Sequence, residues 1–179
     1  YSSWAPEGDE MELDAILDRV AAPPTRFVVL TGGEPMIQPQ VGELTRRLRE
    51  GGYHITIETA ATVFADVACD LASLSPKLGN STPWEREGGR FADAHERQRL
   101  SLAVIRRFIA ASADYQLKFV VEQPADVREI EILLADLGDL PPENILLMPQ
   151  AVSREELIGS TRQEALELVL AERCDVLLG

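Results

Sequence analysis

Short β-branched runs and helix-spaced apolar segments take turns along this chain, and that alternation leaves it few folds. Phe27–Leu30, His54–Glu58, Cys69–Leu74, Tyr115–Val121 and Asn144–Met148 have the length and composition of strands. Between them, apolar residues recur three and four positions apart: Leu13, Ile16, Leu17 and Val20, then Val41, Leu44 and Leu48, then Ile130, Leu133, Leu134 and Leu137. Asp9 with Glu12 has capping-box spacing for the first helix, which Pro23-Pro24 ends. The second helix, Val41–Arg49, closes on Gly51-Gly52. One helix is expected over Ala94–Ala111, and another begins near Pro124. Gly79–Arg90 reads as a loop too polar to pack. Ser153 with Glu156 and Thr161 with Glu164 are further capping boxes, and Asp175–Gly179 begins a sixth strand. Strands alternating with helices on short links form a parallel sheet with right-handed crossovers. The class is α/β, as either a partial barrel or an open doubly wound sheet.

The chemistry-bearing residues fall at the ends of these strands. Phe27-Val28-Val29-Leu30, expected to be buried on both faces, runs straight into Thr31-Gly32-Gly33-Glu34-Pro35. Two residues without Cβ atoms let the backbone turn and a ligand approach it closely, and Pro35 holds the turn's shape. Glu34 is left as a carboxylate at a strand end, suited to a cationic amine or to a general base's work. Glu58-Thr59, Ser75-Pro76-Lys77 and Pro149-Gln150 also follow strands. In parallel α/β folds the C-terminal edge of the sheet is where ligands bind. Period-two alternation puts Gln116 and Lys118 on the face opposite Leu117 and Phe119, while Thr56 and Glu58 share a face of their strand. Lysine is seldom buried alone. Lys118 is therefore expected to meet Glu58, or a ligand carboxylate, inside the sheet.

Composition narrows the function. The 179 residues are 45% hydrophobic, enough for one sizeable core. A formal charge of −13, from 17 basic and 30 acidic residues, argues against nucleic-acid binding, which needs concentrated cations. No apolar run approaches the ~20 residues of a membrane helix, so the expectation is a soluble, cytoplasmic chain. Cys69 and Cys174 are far apart and give no CxxC pair or disulfide framework. His54 and His95 stand alone, nothing has zinc-ligand spacing, and there is no Gly-Lys-Ser/Thr phosphate loop. Both ends look cut: the chain opens on Tyr1 and stops inside an apolar run, so a single domain truncated at both ends is expected.

These motifs, taken together, resemble the radical S-adenosylmethionine enzymes, and among them the 7-carboxy-7-deazaguanine synthase family. The likeness rests on Val29-Leu30-Thr31-Gly32-Gly33-Glu34-Pro35-Met36, Ile55-Thr56-Ile57-Glu58-Thr59, Leu74-Ser75-Pro76-Lys77, Tyr115-Gln116-Leu117-Lys118-Phe119-Val120-Val121 and Leu147-Met148-Pro149-Gln150. Tyr1-Ser2-Ser3-Trp4 is similar to the segment directly after the family's cluster loop. The resemblance implies a partial (β/α) barrel with parallel strands, and ring contraction of 6-carboxytetrahydropterin to 7-carboxy-7-deazaguanine with loss of ammonia. It implies S-adenosylmethionine, a [4Fe–4S] cluster and Mg²⁺ as cofactors, a small pterin substrate, and a homodimer. Carried over residue by residue, Thr31, Gly32, Gly33, Glu34, Ser75, Lys77 and Gln150 would bind S-adenosylmethionine. Thr59, Ala61 and Lys118 would bind substrate.

The sequence departs from the family pattern in two places. Ala61 stands where the family has glycine, and its Cβ is expected to crowd a ligand on that backbone. The three-cysteine cluster motif and its neighbouring Mg²⁺-binding threonine are absent, so this chain is expected to assemble no cluster and to be inactive alone, the motif lying upstream of Tyr1. A glycyl-radical activase shares the Gly-Gly-Glu-Pro motif but differs in the substrate-side motifs. A non-catalytic α/β module that binds an acidic metabolite would have no cysteine loop at all.

Overall fold

The computed structural model describes residues 9–150. Five parallel strands form one sheet: β1 (Phe27–Leu30), β2 (His54–Thr59), β3 (Leu71–Leu74), β4 (Asp114–Val121) and β5 (Ile145–Pro149). Their order across the sheet is their order in the sequence. That settles the choice between the two architectures. A doubly wound sheet reverses direction at a switch point, whereas right-handed crossovers that always step the same way leave every helix on one face. The result is an arc of (β/α) units, a partial barrel.

The covered face carries Ile55, Ile57, Leu74, Leu117 and Phe119, all buried. Against it pack α1 (Leu13–Ala21), α2 (Val41–Glu50), α4 (Leu102–Ala111) and α5 (Pro124–Leu137), through Leu17 and Val20, Leu48, Ile105 and Phe108, and Ile130 and Leu133. The inner face carries Thr56 and Glu58 from β2, Ser73 from β3, and Gln116 and Lys118 from β4. No described helix is long and apolar enough to cross a membrane.

Several local expectations are corrected. β1 is not buried on both faces: Phe27 is 72% and Val29 55% exposed, because they stand beside His54 and Thr56 on the face no helix covers. Composition reports that a strand is apolar, not which of its faces is covered. The Asp9–Glu12 capping box does not form, since Glu12 is itself the N-cap and its carbonyl accepts the Ile16 N–H. The helix expected over Ala94–Ala111 is two, α3 (Ala92–Gln98) and α4, because Ser101 turns extended and its hydroxyl caps the Val104 N–H. β3 begins at Leu71 rather than Cys69; the Asp70 carboxylate instead accepts the Ile55 N–H at 2.7 Å.

The Gly79–Arg90 segment packs only at its start. Thr82 is buried, and the Asn80 amide donates to the Val120 carbonyl at 3.1 Å and to Asp126 at 2.8 Å. Residues 84–88 and Arg90 are exposed, as expected of a polar loop. The capping boxes after Ser153 and the Asp175–Gly179 strand lie outside the described residues.

Candidate functional site

At the C-terminal end of β1 the backbone turns at Gly32, whose φ of +135° favours glycine. A Cβ built on either Gly32 or Gly33 meets nothing within 4 Å. The two glycines thus form an open shelf on the rim of the arc, with room above the backbone for a ligand.

Glu34 sits behind that shelf. Its Oε1 accepts the Thr59 hydroxyl at 2.7 Å and the Met36 N–H at 3.1 Å, and its Oε2 accepts the Ala60 N–H at 3.0 Å. The Thr59 hydroxyl oxygen in turn accepts the Ala61 N–H at 3.0 Å. An ionised carboxylate has about four acceptor positions. Two of them here tie the end of β1 to the end of β2 and a third caps the turn that follows Glu34, leaving little beyond one for a ligand amine. Glu34 is therefore first a clasp between two strand ends, and the general-base reading loses ground to this geometry.

On the inner face, the Lys118 ammonium lies 3.3 Å from Glu58 Oε1, and the Thr31 hydroxyl donates to Glu58 Oε2 at 3.1 Å. The expected pairing of Lys118 with Glu58 is present. Thr31, at the foot of the shelf, is joined to it. Below them the Gln116 amide donates to the Ser73 hydroxyl at 2.8 Å.

Lys77 enters the same space from the loop after β3. Burial, foremost, and then the nearby charge of Lys118 hold its ammonium below the usual lysine pKa, while Glu34 and Glu58 oppose that effect. Two lysines and two carboxylates thus share one rim. Among the described residues no carboxylate lies within ion-pair distance of the Lys77 ammonium, unlike that of Lys118. Ser75 is placed on the rim by its N–H, which donates to the Thr59 carbonyl at 2.8 Å. Gln150 follows β5 at the same edge, its N–H bonded to the Val121 carbonyl at 2.9 Å. The carboxylate of Glu34 and the residue at 150 therefore lie at one end of the sheet.

Ala61 does not join them as expected. It is wholly buried in the apolar core, with φ of +55°, so its methyl group is packed against protein and exposes no surface to a ligand on the rim. The position calls for a left-handed backbone, which is the physical use of glycine at that site. Sequence reading also missed the Ala60 and Met36 N–H groups, which carry no side-chain signal.

Residues 2–78 match the model of the Radical SAM superfamily. The 7-carboxy-7-deazaguanine synthase of Rhodopirellula baltica is 40% identical over 157 residues, covering 88% of this chain and 61% of that protein. That of Halobacterium salinarum is 37% identical over 180 aligned positions, covering 95% of this chain and 69% of the relative. Among solved structures, QueE from Escherichia coli superposes with a TM-score of 0.57 at 27% identity, over 89% of this chain and 58% of its own. The chain thus spans 61% and 69% of the lengths of these two curated relatives. With 37% identity over 69% of the Halobacterium salinarum protein, the chain belongs to the 7-carboxy-7-deazaguanine synthase family of radical S-adenosylmethionine enzymes.

Proposed function

We propose that these residues are the cofactor- and substrate-holding core of a 7-carboxy-7-deazaguanine synthase, which contracts 6-carboxytetrahydropterin to the deazapurine with loss of ammonia. The observation that carries the reading is the open glycine shelf facing two lysines across one rim. When bound and given one electron by the reduced cluster, S-adenosylmethionine would supply the carbon radical that takes a hydrogen atom from the substrate. Gly32 and Gly33 leave space for its methionyl group, and the acceptor capacity left on Glu34 meets its amine. Thr31, Ser75 and Gln150 line the rim around it. Lys77, a half-buried cation on a long stem, meets a ligand carboxylate. Lys118 faces the substrate, while Thr59 holds Glu34 in place behind the rim and Ala61 contributes its backbone turn.

The described residues hold no group of three His, Cys, Asp or Glu side chains able to bind a metal, and Cys69, their free cysteine, is buried. Neither the [4Fe–4S] cluster nor Mg²⁺ finds its ligands among them. In this proposal the chain is one domain, works in the cytoplasm, and pairs as a homodimer by family resemblance.

Gly33→Val tests the shelf. Because its added atoms enter open space, Tm should barely move, whereas calorimetric titration with S-adenosylmethionine should show binding at least about tenfold weaker. Unchanged affinity would remove the shelf from the reading. Anaerobic turnover of 6-carboxytetrahydropterin by the cluster-bearing full-length protein checks the reaction itself.

A further inference from the structure

The loop that delivers Lys77 is gripped from behind. Arg99, whose side chain is only 13% exposed, donates from Nη1 to the Lys77 carbonyl at 2.8 Å and to Glu129 Oε1 at 2.6 Å. Glu129 Oε2 accepts the Gly79 N–H at 2.9 Å. The guanidinium therefore takes the carbonyl of residue 77 while its partner carboxylate takes the amide two residues on. Glu96 completes the set, accepting from Arg99 Nη2 and from the Thr82 hydroxyl, both at 2.6 Å. Arg99 comes from the break after α3 and Glu129 from α5, so two outer elements converge on three residues of one rim loop. Charge-assisted, near-planar contacts of this kind fix geometry better than isolated neutral hydrogen bonds.

We propose that Arg99 and Glu129 are positioning residues, an ion-pair clamp that sets where the Lys77 side chain enters the rim. The clamp touches no ligand. It acts through the Lys77–Gly79 backbone, and its effect on ligand binding rests on the reading of Lys77 as a carboxylate partner. A long flexible lysine can hold a cation near a rim from many backbone positions, but only some leave it buried beside Lys118, Glu34 and Glu58. Losing the clamp lets the loop relax outward, and the ammonium gains water.

Two measurements decide it, the first on the 179-residue chain and the second on the cluster-bearing full-length protein. The first needs no ligand. Lysine carbons are titrated by NMR in the wild type, Arg99→Met, Arg99→Lys and Glu129→Gln. Lys77 should titrate below an ordinary lysine in the wild type and move back up in Arg99→Met. Arg99→Lys should recover part of the shift, and Lys118 should stay put. If Arg99→Met does not fold, Glu129→Gln, which keeps an acceptor for the Gly79 N–H, carries the same comparison. A Lys77 titration that these variants leave unmoved overturns the clamp.

The second measurement is a cycle of Arg99→Met and Lys77→Met read by S-adenosylmethionine affinity. The clamp predicts about tenfold weaker binding for Arg99→Met in the wild type and no further loss in Lys77→Met. Equal losses in both backgrounds mean that Arg99 acts elsewhere, and overturn the proposal. If Lys77→Met alone leaves affinity unchanged, the ligand-partner reading of Lys77 fails, and the NMR titration still decides the clamp.

Discussion

At the scale of single residues, two side chains bear opposite relations to their surroundings. The Lys77 ammonium is placed where burial and a like charge oppose it. A base whose folded pKa is depressed binds fewer protons folded than unfolded across the interval between the two values. Its penalty on stability is thus fully present below the folded pKa and is relieved as pH rises toward the unfolded value. Lys77→Met should raise the urea midpoint at neutral pH while weakening ligand binding, and the stability gain should shrink as the buffer approaches pH ~10. A gain that grows with pH would contradict the buried-cation account. Ala61 has the reverse problem, a fitting environment and a strained backbone. Its left-handed φ costs about 1 kcal/mol for a residue with a Cβ. Ala61→Gly relieves that strain but loses a buried methyl group and adds chain entropy, so it should stay within about 1 kcal/mol of the wild type in urea unfolding. Ala61→Val adds a branched side chain to the strain in a full core, and should lose about 3 kcal/mol.

Among the elements, the break between α3 and α4 shows most plainly what periodicity leaves out. Apolar spacing begins at Leu102 and recurs at Ile105, Phe108 and Ile109, so it marks the second helix but does not say whether the polar stretch before it joins that helix or ends ahead of Ser101. The hydroxyl of Ser101 makes the stop by satisfying a free helix N–H. The break also brings the Arg99 guanidinium against the Lys77 carbonyl. Ser101→Ala should cost about 1 kcal/mol in thermal or urea unfolding, with Ser101→Asp closer to the wild type. Equal stability of all three would mean the cap is ornamental. The strand ends behaved differently. Glu34 and Thr59 were each visible as polar residues after apolar runs, but their bond to each other depends on β1 and β2 being neighbours.

For the whole molecule, the exposed edge matters most. β1 has one strand neighbour among the described residues and carries Phe27 and Val29 toward solvent. Flat apolar edges pair with other chains. The isolated 179-residue chain should therefore self-associate with rising concentration, as read by light scattering, and Phe27→Lys should shift it toward monomer. A monodisperse wild type at high concentration would count against this. The sequential parallel order also explains why one face of the sheet could be left for polar residues. Crossovers that always step the same way pile their helices on the other side.

What the sequence by itself determined is local. The strands, most helices and the polar strand ends follow from side-chain spacing, since backbone period decides which residues share a face. That is why Lys118 and Glu58 could be assigned to one interior before any neighbour was known. Only the tertiary structure decided which strand is an edge, what Glu34 holds, how the Gly79–Arg90 segment packs and what grips Lys77. Each depends on which distant segments the chain brings together, and residue spacing along one segment carries no information about that.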